Sequence, residues 1–169
     1  MVQSIKEYSI SKFKGDQMKV LGCGNTNMGD DGFGAAIIRV LNERQGNDGI
    51  EPVEVSWGGI SILDHMEGQE KVIIVDAMKL GAPPGTVHRF DSDSIPMQYK
   101  GNYATLHELG ILEALTIGRS IFPDRMPHEI VLIGVEAQQM EPFCLELSDP
   151  VRDSVPAVIA LILKESGVS

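Results

Sequence analysis

The apolar positions of the chain fall into runs of two periods. Lys71-Val-Ile-Ile-Val-Asp76 and Glu129-Ile-Val-Leu-Ile-Gly-Val135 are nearly continuous, as strands covered on both faces of a parallel sheet require, and Met18-Lys-Val-Leu21 is a shorter run ending at Gly22. Val53-Glu-Val-Ser-Trp57 and Thr86-Val-His-Arg-Phe90 alternate instead, the pattern of half-buried strands. Helical spacing links Phe33, Ala36, Ile37, Val40 and Leu41, then Leu106, Leu109, Leu112 and Leu115, then Val151, Val155, Val158, Ile159 and Ile162. A short helix over Ile60 to Met66 follows the Gly58-Gly59 stop. Thr105-Leu-His-Glu108 reads as a capping box, and Ser148-Asp149-Pro150 as the start of the last helix, which Pro156 should kink. Gly46-Asn-Asp-Gly49 and Gly81-Ala-Pro-Pro-Gly85 are turns, and Asp91 to Tyr103 is a long polar loop.

This order predicts an α/β fold, a single three-layer α/β/α domain over residues 17–169 with a mostly parallel, mixed sheet of about five strands. The runs 71–75 and 129–135 should be central strands, neighbours or nearly so. The 86–90 strand should be antiparallel, because the interval before it is too short for a crossover helix. Met1 to Asp16 shows no clean period and is set aside as a loosely docked N-terminal extension.

Composition narrows the classes of function. At 169 residues the chain suits one domain with a real core. A formal charge of -10 with no basic run argues against nucleic acid and against anionic membranes as partners. No apolar stretch approaches the roughly 20 residues needed to span a bilayer, and the N-terminus lacks the apolar core of a signal peptide, so a cytoplasmic location is expected. The chain is also expected to act as a monomer. Cys23 and Cys144 make neither a disulfide framework nor a zinc cluster, and each reads as a small buried side chain. The eight methionines form no stripe and read as gap-fillers.

Candidate chemistry begins at Val20-Leu-Gly-Cys-Gly-Asn-Thr-Asn-Met-Gly-Asp-Asp-Gly-Phe-Gly34, which sets two carboxylates, Asp30 and Asp31, on a glycine-rich connection between strand and helix. The pattern places both on the first turn of the helix, where the dipole favours negative charge by roughly 0.3–1 kcal/mol. It is a weak match to a nucleotide loop. A dinucleotide fingerprint would need glycine where Asn27 stands, and a Walker loop would need Lys and Ser/Thr where Asp30 and Asp31 stand. Asp76 ends the clearest strand, so it either lines the crevice at the carboxyl end of the sheet or caps the next turn. His107 falls in the first turn of its helix, where the dipole keeps the imidazole neutral and able to ligate; the alternative is an ordinary loop histidine. Two carboxylates and one imidazole suit Ni(II), Zn(II) or Mn(II), with coordination positions left open. Cys23 with His107 as base would make a thiol protease, but a buried cysteine is the ordinary case. His65, His88 and His128 have no partner visible in sequence and read as structural or solvated.

The motifs together resemble the nickel-iron hydrogenase maturation endopeptidases. The resemblance rests on Gly22-x-Gly-Asn25 with Gly29-Asp-Asp-Gly32, on Ile74-Val-Asp-Ala77, on Thr105-Leu-His-Glu-Leu109, on Pro84-Gly-Thr-Val87 and on Leu132-Ile-Gly-Val-Glu136, in the family's order. It covers about Val20 to Lys164. It implies an endopeptidase of carboxylate type that removes the C-terminal extension of a nickel-loaded hydrogenase large-subunit precursor, with Asp31, Asp76 and His107 contacting nickel that the substrate carries. The free enzyme would then be metal-empty. Many relatives carry Asp-Gly-Gly where this chain has Trp57-Gly58-Gly59, so the role of that acid does not transfer. Two other readings stand beside this one: a non-catalytic nickel-binding checkpoint protein, and a phosphate- or nucleoside-handling enzyme on a similar scaffold.

Overall fold

The computed structural model describes residues 17–44, 49–55, 59–94 and 106–167, with only the backbone of residues 106–109 described. The N-terminal extension, Trp57-Gly58, most of the 91–103 loop and Thr105 lie outside that set, and with them the capping box. Five strands, β1 Met18–Cys23, β2 Ile50–Val55, β3 Lys71–Met78, β4 Val87–Asp91 and β5 Glu129–Glu136, form one sheet in the order β2-β1-β3-β5-β4. All pairings are parallel except β4 with β5. The helices are α1 Phe33–Glu43, α2 Ile62–Met66, α3 Leu106–Ile121 and α4 Asp149–Glu165.

As the continuous apolar runs require, β3 and β5 are neighbours in the sheet and buried on both faces. Val72, Ile73, Ile74 and Val75 are all 0% exposed, and each contributes about 1.5–3 kcal/mol by leaving water. Alternation sends Ile73, Val75 and Ala77 into the core under α1 and α4, and Val72, Ile74 and Met78 into the core under α2 and α3. These are the two outer layers of the sandwich. The antiparallel β4 closes one edge, as its short connection demands.

Several boundaries depart from expectation. β2 starts at Ile50, not Val53, because pairing with β1 begins opposite Met18 and recruits the preceding residues; its expected end at Ser56-Trp57 lies outside the described residues. Pro52 is tolerated there because β2 is an edge strand. β3 runs two residues past Asp76 and pairs Met78 with Glu136. The two aspartates lie not in the first turn of α1 but in a separate 3-10 turn, Gly29–Gly32, that precedes it. Ser148 sits at the N-cap of α4 without capping it, and α4 continues through Pro156. No helix among the described residues is long and apolar enough to cross a membrane.

The far end of α4 is tied to the sheet by charge. The Glu165 carboxylate accepts from Arg89 Nε at 2.6 Å and from Lys71 Nζ at 2.6 Å, and Lys71 also meets Glu129 at 2.8 Å. Hydrogen bonding from Arg89, aided by Lys71, holds the Glu165 carboxyl down at about 2. Because its folded value lies below the ordinary 4.5, this stabilisation is present above about pH 4.5 and is lost as pH falls toward 2. With both cations partly solvated, Glu165→Gln should cost about 1–2 kcal/mol at pH 7 and almost nothing at pH 2. Thermal unfolding at the two pH values checks this; an equal gap at both would mean the carboxylate charge contributes nothing.

Candidate active site

The strand order creates a crevice. The β1–α1–β2 connection covers one face of the sheet and moves toward one edge, whereas β2–α2–β3 covers the other face and returns past β1. The chain therefore diverges between the carboxyl ends of β1 and β3, the place where open α/β sheets bind ligands.

Glycines bring the 3-10 turn to that point. A Cβ on Gly34 would lie 2.2 Å from the Cys23 carbonyl oxygen, so the start of α1 packs backbone against backbone on the end of β1. Gly24 has φ +122°, and a side chain there would meet the Asp31 carbonyl at 1.8 Å. The glycine-rich stretch thus folds the turn back over β1. It serves chain packing and not a phosphate cradle, in keeping with its missing nucleotide signatures.

The adjacent carboxylates have different tasks. Asp30 is fully buried and accepts from the backbone N–H groups of Gln138, Gln139 and Ser148 at 2.8, 2.8 and 2.7 Å, and from the Ser148 hydroxyl at 2.9 Å. Its own N–H donates to the Gln139 carbonyl at 2.9 Å. Asp30 is therefore a fastener between the turn after β1 and the segment that leads from β5 to α4. Asp31 is 1% exposed, and its Oδ2 accepts from the Asn25 N–H at 2.9 Å across the mouth of the loop.

Asp76, 1% exposed, approaches the same point from β3. Gly22 pairs with Val75, so the next step along both strands brings Cys23 beside Asp76, on the face that carries Ile74 and Met78. Burial pushes the Cys23 thiol well above its ordinary value, and the nearby charges of Asp76 and Asp31 push it further. Asp76 thus neighbours Cys23 across the strands, and Asp31 is close enough for its charge to be felt at the same thiol. A thiol kept protonated by its surroundings is a poor nucleophile, which decides against the thiol-protease reading. Asp76 Oδ1 accepts from the Ala77 N–H at 2.9 Å inside a strand that continues, so Asp76 is not the cap of a turn.

His107 is the second residue of α3. That helix packs on the same face as Asp76 and delivers the chain to the start of β5, so its first turn lies toward the carboxyl end of the sheet. The His107 side chain is outside the described set, and among the described residues no three His, Cys, Asp or Glu side chains are grouped to hold a metal.

One carboxylate escaped the sequence reading. Glu136 ends β5 as Asp76 nearly ends β3, and it is 3% exposed. It accepts from the N–H groups of Leu80 and Gly81 at 2.9 and 2.8 Å, and His88 Nε2 lies 3.3 Å from its other oxygen. With its carbonyl bonded by the Gly85 N–H at 2.8 Å, Glu136 pins the turn between β3 and β4. His88, stacked on Phe90 at 5.9 Å, is thus structural with a definite partner. The available signal was an acid closing an apolar strand, the same one that singled out Asp76. Cys144 is only half-buried, unlike Cys23.

An α/β sandwich with two buried acids at its switch point defines the class: an open, mostly parallel sheet with an acidic crevice at its carboxyl end. Comparison with known proteins makes the assignment narrower. The family model of hydrogenase maturation proteases matches residues 36–165. The chain is 32% identical over 163 residues to the coenzyme F420 hydrogenase subunit delta of Methanothermobacter thermautotrophicus, covering 90% of this chain and 96% of that one. Among solved structures it resembles the hydrogenase maturating endopeptidase HybD from E. coli, with a TM-score of 0.78, 27% identity and 89% and 94% of the two chains covered. It also resembles the NiFe hydrogenase maturation protease HybD from Thermococcus kodakarensis, with a TM-score of 0.72, 27% identity and 89% and 99% covered. The chain belongs to the hydrogenase maturation protease family and is a peptidase.

The division of labour inside the turn is testable. Asp30→Ala would leave three buried backbone donors and a hydroxyl unsatisfied and should cost at least about 3 kcal/mol, whereas Asp31→Asn should stay within about 1 kcal/mol of the native protein. Denaturant unfolding of both variants checks the contrast, and an Asp30→Ala protein as stable as the native one would refute the fastener.

Proposed function

We propose that the protein removes the C-terminal extension of a nickel-loaded nickel-iron hydrogenase large-subunit precursor, and that Asp31, Asp76 and His107 contact the nickel that this substrate carries. The observation behind the reading is the placement of two buried carboxylates, Asp31 in the turn after β1 and Asp76 near the end of β3, at the switch point, with α3, which carries His107 in its first turn, packed on the face of Asp76. Two such charges side by side repel each other, and a divalent cation between them offsets that repulsion. A neutral imidazole adds the nitrogen that nickel favours over a purely oxygen site.

Peptide hydrolysis then needs little more from the chain. Water adds to the scissile carbonyl carbon, the C–N bond breaks, and a carboxylate in the cleft can accept the water proton and return it to the departing amine. Nickel held by the substrate can polarise the carbonyl. The peptidase is in this reading of carboxylate type, in agreement with a Cys23 thiol that stays protonated. It acts as a monomer in the cytoplasm on a precursor whose metal serves as the sign that assembly is complete.

The test is to incubate the full chain with nickel-loaded and nickel-free precursor and to weigh the products by mass spectrometry. Cleavage only of the loaded form supports the reading. A checkpoint protein without catalysis would bind and leave both masses unchanged. In the same assay His107→Ala should abolish processing while thermal unfolding shifts by no more than about 1 kcal/mol, since α3 keeps Ile111, Ala114 and Leu115 in the core. Wild-type cleavage by a folded His107→Ala protein would remove His107 from the site.

A further inference from the structure

Phe143 is the most exposed large hydrophobic residue among those described, at 94%, and Leu145 is next at 73%. Phe143 is also the one described non-glycine residue with positive φ, at 67°. A bulky side chain in that conformation costs roughly 1–2 kcal/mol, which glycine would avoid. Core packing offsets none of this, because the ring faces solvent.

The surrounding segment is held firmly. Asp30 binds its two ends through Gln138, Gln139 and Ser148, and the Gly29 N–H donates to the Cys144 carbonyl at 2.7 Å between the two exposed side chains. Met140 and Leu147 pack against the core under α1 and α4. The result is a rigid platform that presents two apolar groups beside the crevice, fixed to the same 3-10 turn that carries Asp31. Exposed Glu141 and Glu146 flank the pair. The other exposed apolar residues, such as Ile121 and Phe122, lie at the opposite end of α3, where Phe122 already stacks under Arg125 at 5.2 Å.

Resting on the proposed function, we infer that Phe143 and Leu145 are the anchor by which the folded body of the precursor docks beside the cleft, entering an apolar pocket rimmed by basic side chains. A rigid aromatic in fixed backbone loses little entropy on docking, and such residues dominate protein interfaces. The acidic flanks select a cationic rim and disfavour an anionic membrane. The anchor also sets the distance between the bound body and Asp31, because Asp30 connects the two.

The experiment compares the wild-type chain with the double variant Phe143→Gly, Leu145→Ser on a nickel-loaded large-subunit precursor, reading KM, kcat and melting temperature. The inference expects KM to rise at least tenfold, kcat at saturating precursor to stay within twofold, and the melting temperature to hold or rise as backbone strain is relieved. An unchanged KM overturns it while leaving the processing reading intact. A fallen melting temperature also overturns it, by showing that the two side chains serve the fold. If the wild-type chain cleaves no loaded precursor, the functional reading itself fails and the anchor fails with it. Glu141→Lys with Glu146→Lys provides a second check: KM should rise and lose its salt dependence, and an unaltered salt dependence contradicts the basic rim.

Discussion

One buried carboxylate holds the working end of this molecule together. Asp30 takes four donors from a segment more than a hundred positions away in sequence, and it is through this contact that the turn after β1, the segment after β5 and the start of α4 become one body. Charge-assisted hydrogen bonds in a dry setting are strong, and removing the acceptor would leave every donor unsatisfied. Asp31 is held in the crevice because its neighbour is anchored. Gly34 and Gly24 complete the arrangement by allowing the backbone to approach itself where any side chain would clash.

The site therefore contains two kinds of acid that look alike on paper. Asp30 and Glu136 fasten distant loops through several backbone N–H groups, while Asp31 and Asp76 accept from the local N–H groups of Asn25 and Ala77 at the carboxyl ends of β1 and β3. The Cys23 thiol stays protonated, since burial first and the charges of Asp76 and Asp31 after it oppose its ionisation. Membership of the hydrogenase maturation protease family places these two buried acids in a peptidase.

Much of this was legible in the residues. Continuous apolar runs identified β3 and β5 as central neighbours, and the short interval before residue 86 required β4 to run antiparallel. Asp76 stood out because an acid ends an apolar run. The register of β2 was not legible, because pairing with β1 overrode the alternation that pointed to Val53 and Pro52 argued against a strand. The separate tasks of Asp30 and Asp31 were only half visible: the family resemblance singled out Asp31, but Asp30's partners at Gln138, Gln139 and Ser148 are brought in by tertiary folding. Glu136 was overlooked for the same reason, since nothing local shows that the Leu80 and Gly81 N–H groups turn toward it. Exposure and backbone strain at Phe143 have no signature in sequence at all.

The central claim is that this protein touches nickel borne by its substrate through Asp31, Asp76 and His107. X-ray absorption at the nickel edge, recorded on loaded precursor alone and after rapid mixing with the full chain and freezing, addresses it directly. The account predicts that the complex gains oxygen and imidazole-nitrogen scatterers and that the nitrogen contribution disappears when His107→Ala replaces the native protein. A nickel shell unchanged by a stoichiometric complex that is nevertheless competent for cleavage would contradict it.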